Sequence, residues 1–257
     1  MSDIAPGGDE AVAPKATIIE HLVAFRKVLI VCAIAVIIGF LVVFWGFSER
    51  LLLFLTYPLL SMDVQVINIG VAEAFIARLR VSLIAGIVIA FPIICWKFWS
   101  FVKPALFPNE RFKFILIFFI TLLLFLSGVL FAYFLVLNIA INFLITFGEA
   151  VATPMISISM YIDMLFRFIL PFGLAFEFPV VIYVLHELEF VSLKALKKAR
   201  KYVLFGMFVL ATILTPPDLI SQIMLAVPLY ALYEASILVL RIVAKRKEKN
   251  AEAEAEA

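Results

Sequence analysis

Twenty consecutive residues from Val28 to Phe47 carry no charge, and about 20 apolar residues are what a helix needs to cross the roughly 30 Å hydrocarbon core of a bilayer. The pattern recurs along the chain. Val81 to Val102 is interrupted only by Lys97, with Pro92 as an expected kink. Phe114 to Gly148 is uncharged throughout; as one helix it extends roughly 50 Å, longer than the membrane, and Asn138 and Asn142 mark where it is expected to leave the lipid. Phe168 to Leu185 holds a single charge, Glu177. Tyr202 to Leu214 and Leu219 to Leu240 are short for full spans and meet at the sequence TPPD, so their hairpin is expected to stop below the far surface and thin the bilayer there. Composition agrees, with 65% of 257 residues hydrophobic and 16% charged, against about 25% charged in soluble domains.

The chain therefore reads as an all-α, polytopic membrane protein. Six transmembrane helices are predicted at about 28–47, 81–102, 114–137, 168–185, 202–214 and 219–240, within a membrane domain of residues 17–243. Flexible charged tails are predicted at 1–16 and 244–257. Residues 1–27 carry four acids before the first long apolar run, and no small-residue cleavage site follows that run, so the N-terminus reads as a retained tail, not a signal peptide.

Six spans put both termini on one side. The tails and the loops on their side, 103–113 and 186–201, hold sixteen Lys and Arg residues; the opposite loops hold only Arg50, Arg78, Arg80 and Arg167. By the positive-inside rule the termini and the cation-rich loops are cytoplasmic. The net charge of +2 gives no reason to expect a nucleic-acid partner. Cys32 and Cys95 both fall inside apolar runs, as buried thiols do. His21 and His186 are far apart, and no HExxH, CxxC or GxSxG is present, so neither a metal site, a cofactor nor a nucleophilic enzyme is indicated. No internal repeat is evident, which counts mildly against transporter folds built from inverted repeats.

Four segments carry polar residues that hydropathy alone does not explain. In FGLAFEFP, Glu177 stands in an apolar span between Pro171 and Pro179; each proline leaves a carbonyl one turn earlier without its usual donor, so polar partners are expected nearby. An intramembrane acid is a functional candidate, and the alternative is a neutral carboxyl bonded to a neighbouring helix. In LTPPDLISQ, Thr215, Pro216 and Asp218 fit N-cap, N1 and N3 of a capping box, whereas Gln222 lies a turn further on and is expected to bond a neighbouring helix. In FVKPALFPNERFK, Glu110 is the only acid beside Lys103, Arg111 and Lys113; it reads as a surface salt bridge, or with Asn109 as the start of the third span. IIEHLVAFRK is amphipathic at helical spacing, with Ile18, Leu22 and Phe25 on one side, as an interfacial helix leading into the first span would be.

Taken in order, HLVAFRK, FVKPALFPNER, FGLAFEFP and LTPPDLISQ resemble the signature blocks of TatC, the multi-spanning receptor subunit of the twin-arginine protein translocase. The resemblance covers about residues 17 to 240. It implies a six-helix, glove-shaped protein with a concave face and short fifth and sixth helices, in the bacterial cytoplasmic membrane. It implies a receptor and not an enzyme: one that binds the twin-arginine signal peptides of folded proteins, associates with itself and recruits single-span TatA and TatB subunits. No cofactor is implied, and export draws on the proton-motive force.

Carried over by position, Glu110 matches the glutamate that reads the arginine pair, with Phe101 and Pro104 beside it. The pairing is physically sensible, since a guanidinium docks both oxygens of a carboxylate where a lysine offers a hydrated point charge. Glu177 matches the glutamate of the concave face, Asp218 the acid after the double proline, and Thr215 and Gln222 the polar positions where a single-span partner docks. One departure stands out. The first block usually reads HLxELR, but Ala24 occupies the glutamate position; Arg26 is kept, and Val28 replaces the block's next basic residue. Glu20, one helical turn before Ala24, can present a carboxylate to the same face. The rival reading from the residues alone is a proton-coupled solute transporter built around Glu177, and an intramembrane enzyme comes third.

Overall fold

The computed structural model describes residues 18–60, 62, 64–106, 111–148, 155–214 and 219–255. The tail at 1–16, the segment holding Glu110, and the TPPD turn with Thr215 and Asp218 lie outside the described residues. Among the described residues are nine α-helices, one π-helical turn and two short strands.

Helix α1 (Ile18–Gly46) takes the predicted interfacial segment and the first span as one uninterrupted rod. After it comes α2 (Ser48–Leu60), which the uncharged-run reading passed over as loop. Its signal was the i, i+4 spacing of Leu51, Leu55 and Leu59, of which Leu55 and Leu59 are buried. Pro58 sits inside this helix and cannot donate to the carbonyl of Phe54. That carbonyl instead accepts a hydrogen bond from the Tyr133 hydroxyl at 2.9 Å, and the Tyr161 hydroxyl donates to the neighbouring Leu55 carbonyl at 2.5 Å. Proline thus turns the Phe54 carbonyl into an anchor for a distant residue, Tyr133.

Helix α3 (Glu73–Leu106) begins well before the predicted Val81. Arg78 and Arg80 do not end it, because each is matched: Arg78 donates to Ser48 Oγ at 2.9 Å, and Arg80 pairs with Asp163 and donates to Ser159. For the same reason the fourth span starts at Ile158, ahead of the predicted Phe168. A two-stranded parallel pairing of β1 (Gln65–Ile67) with β2 (Met155–Ser157) closes this end of the molecule, with Gln65 opposite Met155. Glu73 fastens it: one carboxylate oxygen accepts the backbone N–H groups of Ile69 and Gly70, and the other accepts the hydroxyl of Ser157, the N-cap of the next helix.

The long uncharged run folds as α4 (Arg111–Phe131), a π-helical turn at Ala132–Leu137 and α5 (Asn138–Gly148). Its membrane-compatible portion reaches Phe143, past the predicted 137. Asn138 and Asn142 do not terminate it because their amides donate back to the carbonyls of Phe134 and Asn138, each at 2.8 Å. Next come α6 (Ile158–Ala175) and α7 (Phe178–Glu187), which break at Phe176 and Glu177. Helix α8 (Leu193–Leu214) and α9 (Leu219–Ala255) complete the bundle. The sequence predicts a flexible chain from residue 244, but α9 continues as helix to Ala255; alanine, glutamate and lysine are strong helix formers, and no glycine or proline follows Pro228.

Among the described residues five segments, Leu22–Gly46, Glu73–Lys103, Phe112–Phe143, Ile158–Glu187 and Leu225–Lys245, are long and apolar enough to cross a membrane. The fifth predicted span, 202–214, is not among them, because the first nine residues of the helix that holds it, α8, include five cations. Only 17% of the most apolar window of the first span is buried within the protein. Outward residues such as Ile34, Ile37 and Ile38 are all half exposed or more, a surface suited to lipid and not to water.

Helix α1 packs chiefly on α3, and the contact is backbone to backbone. A Cβ added to Gly86 would lie 2.5 Å from the Phe40 nitrogen, and one added to Gly39 would lie 2.6 Å from the Gly86 carbonyl oxygen. Small residues permit such close approach where the hydrophobic effect supplies no force between helices. One large core joins α2, α3, the π turn, α6 and α9 around Tyr161, Leu165, Phe172 and Leu229. A second, smaller core of α3, α4 and α7 contains Phe91, Cys95, Trp99, Phe125 and Val180.

Candidate functional site

The break between α6 and α7 has a sequence cause. Pro179 occupies the first turn of α7, and Glu177 is its N-cap residue. Pro179 removes the donor that the Ala175 carbonyl would have used, so α6 stops at that residue. The Glu177 carbonyl then accepts the N–H groups of Val180 and Val181 at 3.0 and 2.9 Å, starting the new helix. The polar surroundings expected of the two prolines are found here.

The Glu177 side chain points inward and is only 9% exposed. Thr121 of α4 and Cys95 of α3 lie beside its carboxyl. Trp99 Nε1 donates to Thr121 Oγ1 at 3.1 Å within the same buried cluster. Glu177 Oε1 has no hydrogen-bond partner among the described residues. An unmatched buried oxygen is uncommon and costs about 1–3 kcal/mol. The reading of Glu177 as fully bonded to a neighbouring helix is therefore met only in part.

At the end of the bundle where α1 begins and α3 finishes, Phe25 and Phe101 are in contact, their ring centroids 5.7 Å apart at 49°. The contact joins two segments that lie far apart in sequence. Arg26, Glu20 and Ala24 are exposed on α1, with Glu20 and Ala24 one turn apart. Pro104 lies in the last turn of α3. Lys103 is held with its Nζ 5.1 Å from the centroid of Phe114, a cation–π contact that pins the start of α4.

The α8/α9 pair carries a polar link of its own. Gln222 Nε2 donates to the Thr212 hydroxyl at 2.5 Å, and that hydroxyl donates to the Phe208 carbonyl at 2.9 Å. The neighbouring helix expected to satisfy Gln222 is thus α8, within the same chain. Near the other end, Arg200 of α8 pairs with Glu234 of α9 at 2.7 Å, and Tyr230 donates to the same carboxylate. The two residues are 34 positions apart, so the pairing leaves no local signal in the sequence. Among the described residues no cluster of His, Cys, Asp and Glu is suited to hold a metal ion.

Helices of this length with outward faces this apolar define a multi-pass α-helical membrane protein. The comparisons give its particular kind. The model of the family described as "Sec-independent protein translocase protein (TatC)" matches residues 20–228. The TatC of Carboxydothermus hydrogenoformans is 44% identical over 92% of this chain and 97% of its own length. The Aquifex aeolicus protein is 36% identical over 90% and 97%, and that of Escherichia coli K12 34% over 87% and 88%. A crystal structure of a twin-arginine translocase receptor, TatC, superposes with a TM-score of 0.81 at 37% identity, over 88% of this chain and all of that one. The chain belongs to the TatC family, and its business is protein translocation, not catalysis.

Proposed function

We propose that this chain is the signal-peptide receptor and core subunit of a twin-arginine translocase in a bacterial cytoplasmic membrane. The observation that carries the reading is the contact between Phe25 and Phe101. It brings the first block, with Arg26 and Glu20, against the end of α3, whose last turn holds Pro104 and after which the sequence leads to Glu110. Carboxylates gathered at a membrane surface have less competing water, and a pair of charges 4 Å apart gains about 4 kcal/mol at an effective dielectric of 20 against about 1 in bulk water. The paired arginines of a signal peptide meet Glu110 there, with Glu20 standing in for the glutamate that Ala24 replaces. The apolar part of the peptide then runs along the bundle past Glu177. Single-span TatA and TatB subunits pack on α8 and α9 near Thr215, Asp218 and Gln222, both termini face the cytoplasm, copies of the chain associate, and the proton-motive force drives transport.

The test is photo-crosslinking of a signal peptide with paired arginines, and of its paired-lysine twin, to the purified chain in nanodiscs. Loss of bidentate docking is expected to lower capture roughly tenfold. Glu110→Gln is expected to abolish the difference between the two peptides, Glu20→Ala to weaken arginine capture, and Ala24→Glu to strengthen it. Equal labelling by both peptides in the unmodified chain refutes the arginine site. Separately, the chain is expected to restore export of folded proteins in cells lacking their own TatC; uptake of a small solute by the chain alone would favour a transporter instead.

A further inference from the structure

The first turns of α8 read LKALKKARKY, and four of their lysines fall in one register. Lys194, Lys197, Lys198 and Lys201 stand at i, i+3, i+4 and i+7, a single helical stripe about 10 Å long. All four are exposed. The fifth cation, Arg200, lies off the stripe and is taken by Glu234. The opposite face of the helix is fixed: Leu196, Met207 and Ala211 are buried, and Tyr233 donates to the Leu196 carbonyl at 2.8 Å. The stripe therefore cannot rotate inward.

What lies further along that outward face decides what the lysines meet. One turn beyond Lys201 comes Phe205, 71% exposed, and Val209 follows at 44%. Tyr202, one turn beyond Lys198, is 66% exposed, and Lys201 Nζ lies 5.0 Å from its ring centroid. Exposed phenylalanine and valine on a membrane helix face acyl chains, and tyrosine favours the interface. A face that runs from acyl-chain contact through tyrosine into lysines holds those lysines at headgroup level.

We propose that the lysine stripe of α8 is a recognition site for anionic phospholipid headgroups. The site is separate from the peptide-reading residues and does not depend on their assignment. A basic cluster next to a membrane helix attracts anionic lipid within about a Debye length of 10 Å at 0.1 M salt. Here the cluster is preset by the packing of α8 on α9, so little side-chain-bearing backbone must be ordered when lipid binds. An acidic protein segment has the same charge, but it would have to displace headgroups already in reach.

The experiment uses the full chain in nanodiscs of phosphatidylcholine with one-third phosphatidylglycerol, released gently and weighed intact with its retained lipids. The unmodified chain is expected to retain phosphatidylglycerol in clear excess over its bulk fraction, and the excess is expected to fade between 0.1 and 1 M salt. Replacing Lys194, Lys197, Lys198 and Lys201 by Gln is expected to lower the preference at least about tenfold, since each lysine near the surface is worth roughly a fivefold factor. Replacing the same four by Arg is expected to preserve it and controls for folding. Removing four charges from α9 instead, with Arg241, Lys245, Arg246 and Lys247 changed to Gln, is expected to lower it clearly less than the α8 change does. Equal loss in the α8 and α9 variants would mean diffuse charge and overturn the site. Retention of the lipid preference by the α8 glutamine variant, with loss of binding to an acidic protein fragment, would give the stripe to a protein partner and overturn it equally.

Discussion

Replacing Gly86 by alanine adds one methyl group, and the structure fixes where it goes. The new Cβ would meet Phe40 N at 2.5 Å, Phe40 Cα at 2.8 Å and the Gly39 carbonyl carbon at 3.0 Å. All three are main-chain atoms, so no rotamer relieves the clash, and α1 must move off α3. Overpacking of this kind costs about 1–3 kcal/mol, while glycine to alanine within a helix ordinarily gains about 0.5–1 kcal/mol. The net expectation for Gly86→Ala is a loss of about 1–2 kcal/mol. Gly206 of α8 is the matched control, since nothing lies within 4 Å of its added Cβ, and Gly206→Ala is expected to gain about 0.5–1 kcal/mol. The two variants should therefore differ by about 1.5–3 kcal/mol, a factor of roughly 10 to 150 in the folded to unfolded ratio. Reversible unfolding in bicelles by steric trapping measures this directly. Adding Gly39→Ala to Gly86→Ala should cost less than the two single losses together, because the first methyl has already parted the helices. If Gly86→Ala unfolds like Gly206→Ala, the backbone contact between α1 and α3 is wrong.

Two further expectations rest on single polar groups. Tyr133→Phe strands the Phe54 carbonyl and is expected to cost about 1 kcal/mol; in a chain already carrying Pro58→Ala, whose restored N–H can reach that carbonyl, the same change should cost clearly less, and equal costs in the two backgrounds would break the link. Glu177→Gln keeps size and polarity and should retain more export activity than Glu177→Ala, measured by periplasmic accumulation of a folded reporter; full activity in both variants would show the carboxyl to be dispensable.

The membrane class was legible because it depends on a sum over many residues, and no single contact can reverse a run such as Val28 to Phe47. Helix limits were less legible wherever a charge had a distant partner. Arg80 reads as a loop residue until Asp163, 83 positions later, is brought beside it. The position of α2 was hidden for a related reason: proline inside a helix argues against one, and only the Tyr133 hydroxyl shows how the freed carbonyl is satisfied. Glu177 was partly legible: a lone acid between two prolines leads one to expect polar neighbours, and Thr121 lies beside it, but the run from 168 to 185 read as one span and its break at Phe176 and Glu177 went unread. What the sequence hid was that Trp99 and Thr121 hold one another beside it, leaving one carboxyl oxygen open.

The meeting of Gly39 with Gly86 also has a mechanical side. Helix α1 is secured to α3 at mid-height by main chain alone, near one tip through Phe25 and Phe101, and just past the other through Ser48 and Arg78. From Phe25 to Ser48 is about 35 Å of helical rise, the full depth of the lipid. With no side chain between the rods to act as a cushion at the crossing, the pair behaves as a stiff strut, and a tug on one surface of the membrane is delivered to the other.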